Sequence, residues 1–83
     1  MKFYNKEQYT DKMNHIIKTL EFINADSFDY RNFRVVKNMY KNNYSTYWIF
    51  EYIDGYCVAE KFYEITKNEY ETLCFVFNAN KTR

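Results

Sequence analysis

YSTYWIFEYIDGYCVAEKFYEI, from Tyr44 to Ile65, decides the fold that this sequence predicts. Runs of β-branched and aromatic residues flank Asp54-Gly55, a dipeptide that suits a two-residue hairpin turn because both positions tolerate positive φ. Gly55 is the only glycine in the chain. The stretch therefore predicts a β-hairpin with strands over 44–53 and 56–65.

A two-residue turn also fixes which side chains share a face. It places Trp48, Phe50 and Tyr52 on one face, across from the small residues Cys57 and Ala59. Small residues allow a helix to pack closely, so this face is predicted to be the core. In this register Phe50 lies opposite Ala59, and Trp48 lies opposite a lysine.

The other face of the predicted hairpin is more apolar than an ordinary solvated face. Two acids, Glu51 and Glu60, lie among its apolar side chains. Those side chains are Tyr47, Ile49, Ile53, Tyr56, Val58 and Phe62. This face is expected to have no cover from the rest of the chain.

Before the hairpin, the pattern predicts a helix and one strand. Asn5 and Gln8 form a capping-box pattern at the start of a helix over 6–24, whose apolar residues recur at spacings of three and four. Residues 26–32 are interpreted as a connection. A strand over 33–40 and a turn at Asn42-Asn43 follow, because asparagine tolerates the left-handed region.

This first turn gives a second register prediction. A two-residue loop at 42–43 pairs Arg34 with Glu51 as a cross-strand ion pair. It also puts Phe33, Val35 and Met39 on the Trp48 face. The predicted core then has apolar residues from two strands.

After the hairpin, Thr66-Lys-Asn-Glu69 is a capping box, and a second helix is predicted to begin there. The predicted fold is α+β in the order α-β-β-β-α: a three-stranded antiparallel meander with two helices packed on one face. With 83 residues, the chain is predicted to be a single domain over 1–83.

This order resembles that of the double-stranded-RNA-binding domain, in topology only. In that family a lysine cluster opens the second helix and binds phosphates. The matching position here reads TKNEYE, from Thr66 to Glu71, with one lysine and two acids. Membership of the family is not inferred.

Composition and motifs argue against an enzyme. His15 is the only histidine, and nothing in the sequence places a nucleophile or an orienting acid beside it. Cys57 and Cys74 fall on predicted core faces, where burial makes a thiol inert. No cofactor or metal site is predicted. Two unpaired cysteines, with no signal peptide and no long apolar run, favour a cytoplasmic protein.

The leading hypothesis is a small non-enzymatic binding protein that blocks a host protein. Residue types with AT-rich codons dominate the chain, and this favours a phage or mobile element as the source, with an anti-CRISPR or other anti-defence role. The partner is expected to be a host protein such as a nucleic-acid-processing or defence enzyme. The residues expected to bind it are Tyr47, Ile49, Glu51, Tyr56, Glu60 and Phe62, with Glu69 and Glu71 as a second, acidic surface.

Two alternatives stay open. Residues 1–50 hold eight Lys and Arg against five acids, whereas residues 51–83 hold four against six. A nucleic-acid-binding regulator would use the basic residues beside aromatic rings. Its expected site is Arg31, Arg34, Lys37 and Lys41, with Tyr40, Tyr44 and Trp48. The net charge of +1 argues against it. The other alternative is a structural homodimer through the aromatic face or the strand edges.

Overall fold

A computed structural model describes residues 1–53 and 58–81, the last two by their backbone only. Within these ranges the chain forms a small α+β domain with more strands than the sequence predicts. The elements in chain order are β1 (Lys2–Tyr4), α1 (Lys6–Thr19), β2 (Phe22–Tyr30), β3 (Phe33–Tyr40), β4 (Tyr44–Tyr52), β5 (Ala59–Ile65) and α2 (Lys67–Lys81).

The strands form one antiparallel five-stranded sheet in the order β1-β5-β4-β3-β2. The predicted three-stranded meander is therefore wrong, and so is the α-β-β-β-α order that resembled the double-stranded-RNA-binding domain. β2 to β5 are consecutive antiparallel strands. β1 joins the far edge by pairing with β5, a contact that a local pattern does not predict.

The capping box of α1 is confirmed. The Gln8 backbone N–H donates to Asn5 Oδ1 at 2.8 Å, and the Asn5 N–H donates to Gln8 Oε1 at 2.9 Å. The predicted end at residue 24 is wrong, because α1 ends at Thr19 and Leu20 is already extended. Pairing of β2 with β3 outweighs the helical spacing that had included Ile23, which is 61% exposed on β2.

The segment 26–32, interpreted from sequence as a connection, contains most of β2 and a hairpin turn. Tyr30 pairs with Phe33, which leaves Arg31 and Asn32 as a two-residue loop. Arg31 has φ 56° while Asn32 does not have positive φ, which is the φ pattern of a type II′ turn. Glycine is the usual residue at that first central position, so an arginine there does not signal a turn.

Replacing Arg31 with glycine is expected to raise the free energy of unfolding by up to about 1 kcal/mol, because glycine adopts positive φ without the cost that a Cβ brings. Urea unfolding of the wild type and Arg31→Gly measures the change. Arg31→Ala is the matched control, since it removes the same side chain and keeps the Cβ. Equal stability of the two variants would contradict the explanation.

The turn between β3 and β4 contains the two predicted asparagines but is one residue longer. Asn42 and Asn43 have φ of 67° and 59°, as expected. However, Tyr40 pairs with Tyr44, so Lys41 also belongs to the loop. The register moves by one residue, and every side chain of β3 moves to the opposite face relative to the prediction.

Three predictions on β3 are wrong for this reason. Arg34 lies opposite Phe50 and not opposite Glu51. Val35, predicted on the Trp48 face, lies opposite Ile49 on the other face, and Val36 lies opposite Trp48. Phe33 and Met39 likewise share the face of Glu51 and not the face of Trp48.

The register of β4 with β5 also differs from the prediction. Phe50 pairs with Phe62 and not with Ala59, and Trp48 pairs with Glu64. β4 ends at Tyr52 and β5 begins at Ala59, so residues 53–58 lie between the two strands, and within them Ile53 N–H donates to Val58 O at 3.1 Å. The predicted Asp54-Gly55 turn and Tyr56 lie outside the described residues.

The sheet has a helix on each face, so the prediction that both helices pack on one face is wrong. The Tyr9 ring of α1 contacts Trp48 and Phe62, whereas the Tyr70 ring of α2 contacts Tyr47. Tyr47 and Trp48 are consecutive in β4, and consecutive residues of a strand point to opposite faces. We call these the α1 face and the α2 face.

The main core lies on the α1 face, and the predicted core position of Trp48 is confirmed. Trp48 is 0% exposed. Its ring lies edge-on to the rings of Tyr4 and Tyr9, with centroid distances of 5.3 and 4.9 Å. Val36 and Phe62 complete the buried cluster.

The predicted start of α2 is confirmed as well. Glu69 N–H donates to Thr66 Oγ1 at 3.1 Å, and Thr66 N–H donates to Glu69 Oε1 at 2.9 Å. Within residues 1–53 and 58–81, neither helix combines the length and the apolar character needed to cross a bilayer.

Candidate functional site

A cleft lies between α2 and the sheet. The helix contacts the sheet through two ring pairs, Tyr70 on Tyr47 at 5.1 Å and Phe77 on Phe28 at 4.5 Å between centroids. Beside these contacts is a partly open cavity of about 510 Å³. We call it the α2 cleft. Its apolar walls include Phe28, Val35 and Ile49 from the sheet and Leu73, Val76 and Phe77 from α2.

The sequence of α2 explains why both walls are apolar. Residues 73–77 read LCFVF, five apolar residues in succession. Such a run extends around the whole helix, so the sheet can cover only part of it. Leu73 and Phe77 are half-buried towards the sheet, whereas Phe75 is 75% exposed. A large apolar surface therefore remains on α2.

Among the described residues, Glu51 is the one charged side chain in the wall of the α2 cleft, and it is half-buried. By register it lies opposite Phe33 on one side and Lys61 on the other. In the part of the chain that the structure describes, no salt bridge involves Glu51. The phenol rings of Tyr30 and Tyr63 also line the cleft. These few polar groups provide orientation within an apolar site.

A second cavity of about 420 Å³ lies near the start of α2 and shares Met1, Ile49 and Leu73 with the α2 cleft. Glu69 lines it, and the N-terminal amino group lies 3.6 Å from Glu69 Oε1. The hydrogen bond from the Thr66 backbone is the main reason why the pKa of Glu69 lies below its usual value. Glu69 is therefore ionised and already engaged at neutral pH.

The residues predicted to bind a partner do not form one surface. Ile49 and Glu51 meet in the α2 cleft, and Tyr47 lies beside it against α2. Phe62 lies on the α1 face, where it is buried in the core. Tyr56 is outside the described residues.

The acidic residues of the predicted interface are also dispersed. Glu60 is exposed on β5, and Glu71 is exposed on α2. Glu69 caps α2 and lines the second cavity. Glu60, Glu69 and Glu71 therefore do not form one acidic patch with Glu51.

Acidic neighbours lie beside most of the basic residues of the alternative nucleic-acid site. Arg34 Nε lies 2.6 Å from Asp29 Oδ1, and this hydrogen bond is the main reason why the pKa of Asp29 lies below its usual value. Lys41 Nζ lies 2.7 Å from Glu21 Oε2. Lys37 is half-buried on β3, opposite Asp26.

The remaining residues of the alternative nucleic-acid site differ in their exposure. The guanidinium of Arg31 lies 5.4 Å from the centroid of the Tyr30 ring. Tyr44 is exposed, but Tyr40 and Trp48 are buried and cannot stack on a base without unfolding. The stacking platform that the alternative requires is therefore limited to exposed rings such as Tyr30 and Tyr44.

The described residues that were considered for catalysis lie on different helices. His15 is exposed on α1, Cys74 is half-buried on α2, and Cys57 is not described. Across residues 1–53 and 58–81, no group of three or more His, Cys, Asp or Glu side chains has the arrangement of a metal site.

Sequence reasoning found Ile49 and Glu51 but missed the rest of the α2 cleft. The missed wall is Phe28 on β2 with Leu73, Val76 and Phe77 on α2. The run at 73–77 was an available signal, because a solvent-facing helix normally has a polar side. Phe28 could not be placed without β2.

Comparison with known proteins found no matching family model, no similar curated protein and no similar solved structure. A proposal on function therefore depends on the geometry of this chain.

Proposed function

We propose that this protein is a non-enzymatic binding protein that takes apolar side chains of a partner protein into the α2 cleft. The observation that carries the proposal is the cavity of about 510 Å³ between α2 and the sheet. Its volume is within the range of ligand sites, about 300–1,000 Å³. Aromatic and aliphatic side chains form most of its wall, which suits apolar side chains of a partner.

The surroundings of the cleft favour a protein partner over a small molecule. Met1, Tyr30 and Val76 line the cleft and are also well exposed, and Phe75 lies on the same helix. A small molecule would fill the cavity but leave this apolar rim in water. A protein surface would cover both, as in an interface with an apolar centre and a polar rim.

The inhibitor role belongs to this proposal. The chain is small and is dominated by residue types that have AT-rich codons. Both features support the role of a phage-encoded inhibitor of a host enzyme, including one of the anti-CRISPR type. The cytoplasm of the host cell would then be the place of action. Nucleic-acid binding is less favoured, because ion pairs already hold Arg34 and Lys41.

The first test changes the rim of the cleft by Val76→Glu. A carboxylate there would be buried against apolar side chains of the partner, so we expect at least about tenfold weaker binding. The matched control is Ile17→Glu, since Ile17 is also an exposed apolar residue on a helix, but on α1. Affinity capture from host lysate with mass spectrometry identifies the partner, and calorimetric titration with the purified partner gives the affinities.

The expected result is one stoichiometric protein bound by wild type and by Ile17→Glu, with little effect of added salt. Wild-type affinity in Val76→Glu would show that the cleft is not the site. Capture of nucleic acid alone, released by salt and lost on changing Arg31 and Lys41 to glutamine, would favour the alternative. If native mass spectrometry shows a small molecule bound to the purified protein, the proposal that the partner is a protein would be overturned.

A further inference from the structure

We propose that the open edge of β2 pairs with β2 of a second copy of the chain, antiparallel and centred on Ser27. β2 is the last strand in the sheet order and, within residues 1–53 and 58–81, pairs only with β3. It has nine residues, and all of them except Phe28 are exposed. The other edge strand, β1, has only three residues. One long edge whose backbone groups make no hydrogen bonds to another described strand is therefore available.

β2 lacks most of the features that protect edge strands from pairing. Short length, charged side chains (above all lysine), proline and central bulges are the usual protections, and of these β2 has the acids Asp26 and Asp29. β2 contains neither lysine nor proline, and its irregularity lies near its start, between Phe22 and Asn24. Its exposed side chains include the large apolar residues Phe22, Ile23 and Tyr30.

The turn at Arg31-Asn32 fixes which backbone groups of β2 point outwards. In a turn closed by Tyr30 and Phe33, the Tyr30 carbonyl faces β3. Backbone groups alternate in direction along an antiparallel strand. The N–H and C=O groups of Ala25, Ser27 and Asp29 therefore point away from β3, towards the open edge. The Ala25 N–H donates to Asn24 Oδ1 at 2.8 Å, so this bond must be exchanged or shared on pairing, whereas no such side-chain bond engages Ser27 or Asp29 N–H among the described residues.

This alternation selects a self-complementary register. Ser27 of each copy faces Ser27 of the other as a hydrogen-bonded pair. Asp29 then lies opposite Ala25 of the second copy, and Asp26 lies opposite Phe28 of the second copy. No two acids are directly opposite each other, which would be unfavourable.

The charges of β2 favour a second copy over a foreign basic strand. Asp29 is already paired with Arg34 at 2.6 Å, and Asp26 lies opposite Lys37 on β3. The acids of the edge are thus balanced within each copy and do not require cations from a partner. Because the two copies are related by a two-fold axis, the same outward backbone groups of β2 form hydrogen bonds in both copies.

The pairing would add a residue to the α2 cleft. Tyr30 lines the cleft, and in this register it lies opposite Asn24 of the second copy on the same face. The two sheets would form one ten-stranded sheet with both clefts on one side. The dimer does not depend on what the cleft binds, so failure of the proposed function leaves it unaffected.

The test is the mass of the purified full chain as a function of concentration, by sedimentation and light scattering. We expect the mass to rise from 10.4 kDa towards twice that value. Ser27→Pro removes an outward N–H that β3 does not use, and edge strands tolerate proline, so the dimer dissociation constant should rise at least about tenfold.

A second variant keeps the backbone donor. Ser27→Lys brings two ammonium groups face to face at the two-fold axis and should weaken the dimer, whereas Asn14→Lys on exposed α1 is its matched control. Amide exchange adds a site-specific readout: the Ser27 and Asp29 amides should become protected as the concentration rises. A constant mass of 10.4 kDa, or a dimer that Ser27→Lys leaves unchanged, would overturn the proposal.

Discussion

Trp48→Ala is expected to lower the free energy of unfolding by about 3–5 kcal/mol, the usual cost of removing a buried aromatic ring. Trp48 is 0% exposed and contacts the rings of Tyr4 and Tyr9. Those two rings come from β1 and α1, so Trp48 on β4 connects the centre of the sheet to its β1 edge and to α1. A domain of this size has little stability to spare. Urea unfolding followed by far-UV circular dichroism measures the change, because the variant lacks the only tryptophan.

Two further variants make the result interpretable. Trp48→Phe keeps an aromatic ring and should lose less stability, which gives a measurable value if the alanine variant does not fold. Ile17→Ala removes an apolar side chain that is 56% exposed and should change stability by less than about 0.5 kcal/mol. A loss below about 1 kcal/mol for Trp48→Ala would contradict the position of the core.

Glu64→Gln is expected to lower the free energy of unfolding by about 1–2 kcal/mol at neutral pH, with allowance for partial exposure. Lys12 Nζ lies 2.8 Å from both carboxylate oxygens of Glu64 and 3.1 Å from Tyr4 Oη. The Tyr4 hydroxyl donates to Glu64 Oε1 at 3.0 Å. This cluster connects α1, β1 and β5.

The effect should depend on pH in a defined direction. Burial alone would raise the pKa of Glu64, but the hydrogen bonds from Lys12 and Tyr4 outweigh it and the pKa is lowered. A carboxyl with a lowered pKa stabilises the fold above its unfolded pKa, and this contribution is lost as the pH falls through the folded value. Wild type and Glu64→Gln should therefore converge in stability in acid.

Lys12 sets the limit of this stabilisation at high pH. Burial alone would lower its pKa, but the hydrogen bonds to Glu64 and Tyr4 outweigh it and the pKa is raised. Its contribution is complete below the unfolded lysine pKa and is lost as the pH rises through the folded value. The matched control is Glu21→Gln, since the Glu21–Lys41 pair is also short, at 2.7 Å, but is 66% and 60% exposed. Equal losses in Glu64→Gln and Glu21→Gln would contradict a special role for the buried cluster.

Local signals in the sequence predicted local structure well. Both capping boxes, at Asn5 and at Thr66, are present, and the strand over 33–40 has the predicted bounds. These features depend on residues within a few positions of each other. β2 was missed because its turn has arginine where a glycine or asparagine would have signalled it. β1 was missed because its partner, β5, is distant in sequence.

Small errors in loop length had large effects on the predicted site. One additional loop residue, Lys41, moved every β3 side chain to the other face. The shift in β5 placed Phe62 in the core, although sequence reasoning had assigned it to the binding surface. Ile49 and Glu51 kept their predicted relation because they are alternate residues of one strand, a spacing that register does not change.

The pairing of β1 with β5 also determines when the fold can be completed during synthesis. Tyr4 and Glu64 are 60 positions apart, whereas β2 to β5 each follow their neighbour in the chain. β1 leaves the ribosome first but has no strand to pair with until β5 has followed. The ring of Tyr4 therefore takes its place on Trp48 only after β5 has emerged, and a nascent chain that ends before β5 carries its central tryptophan without that cover.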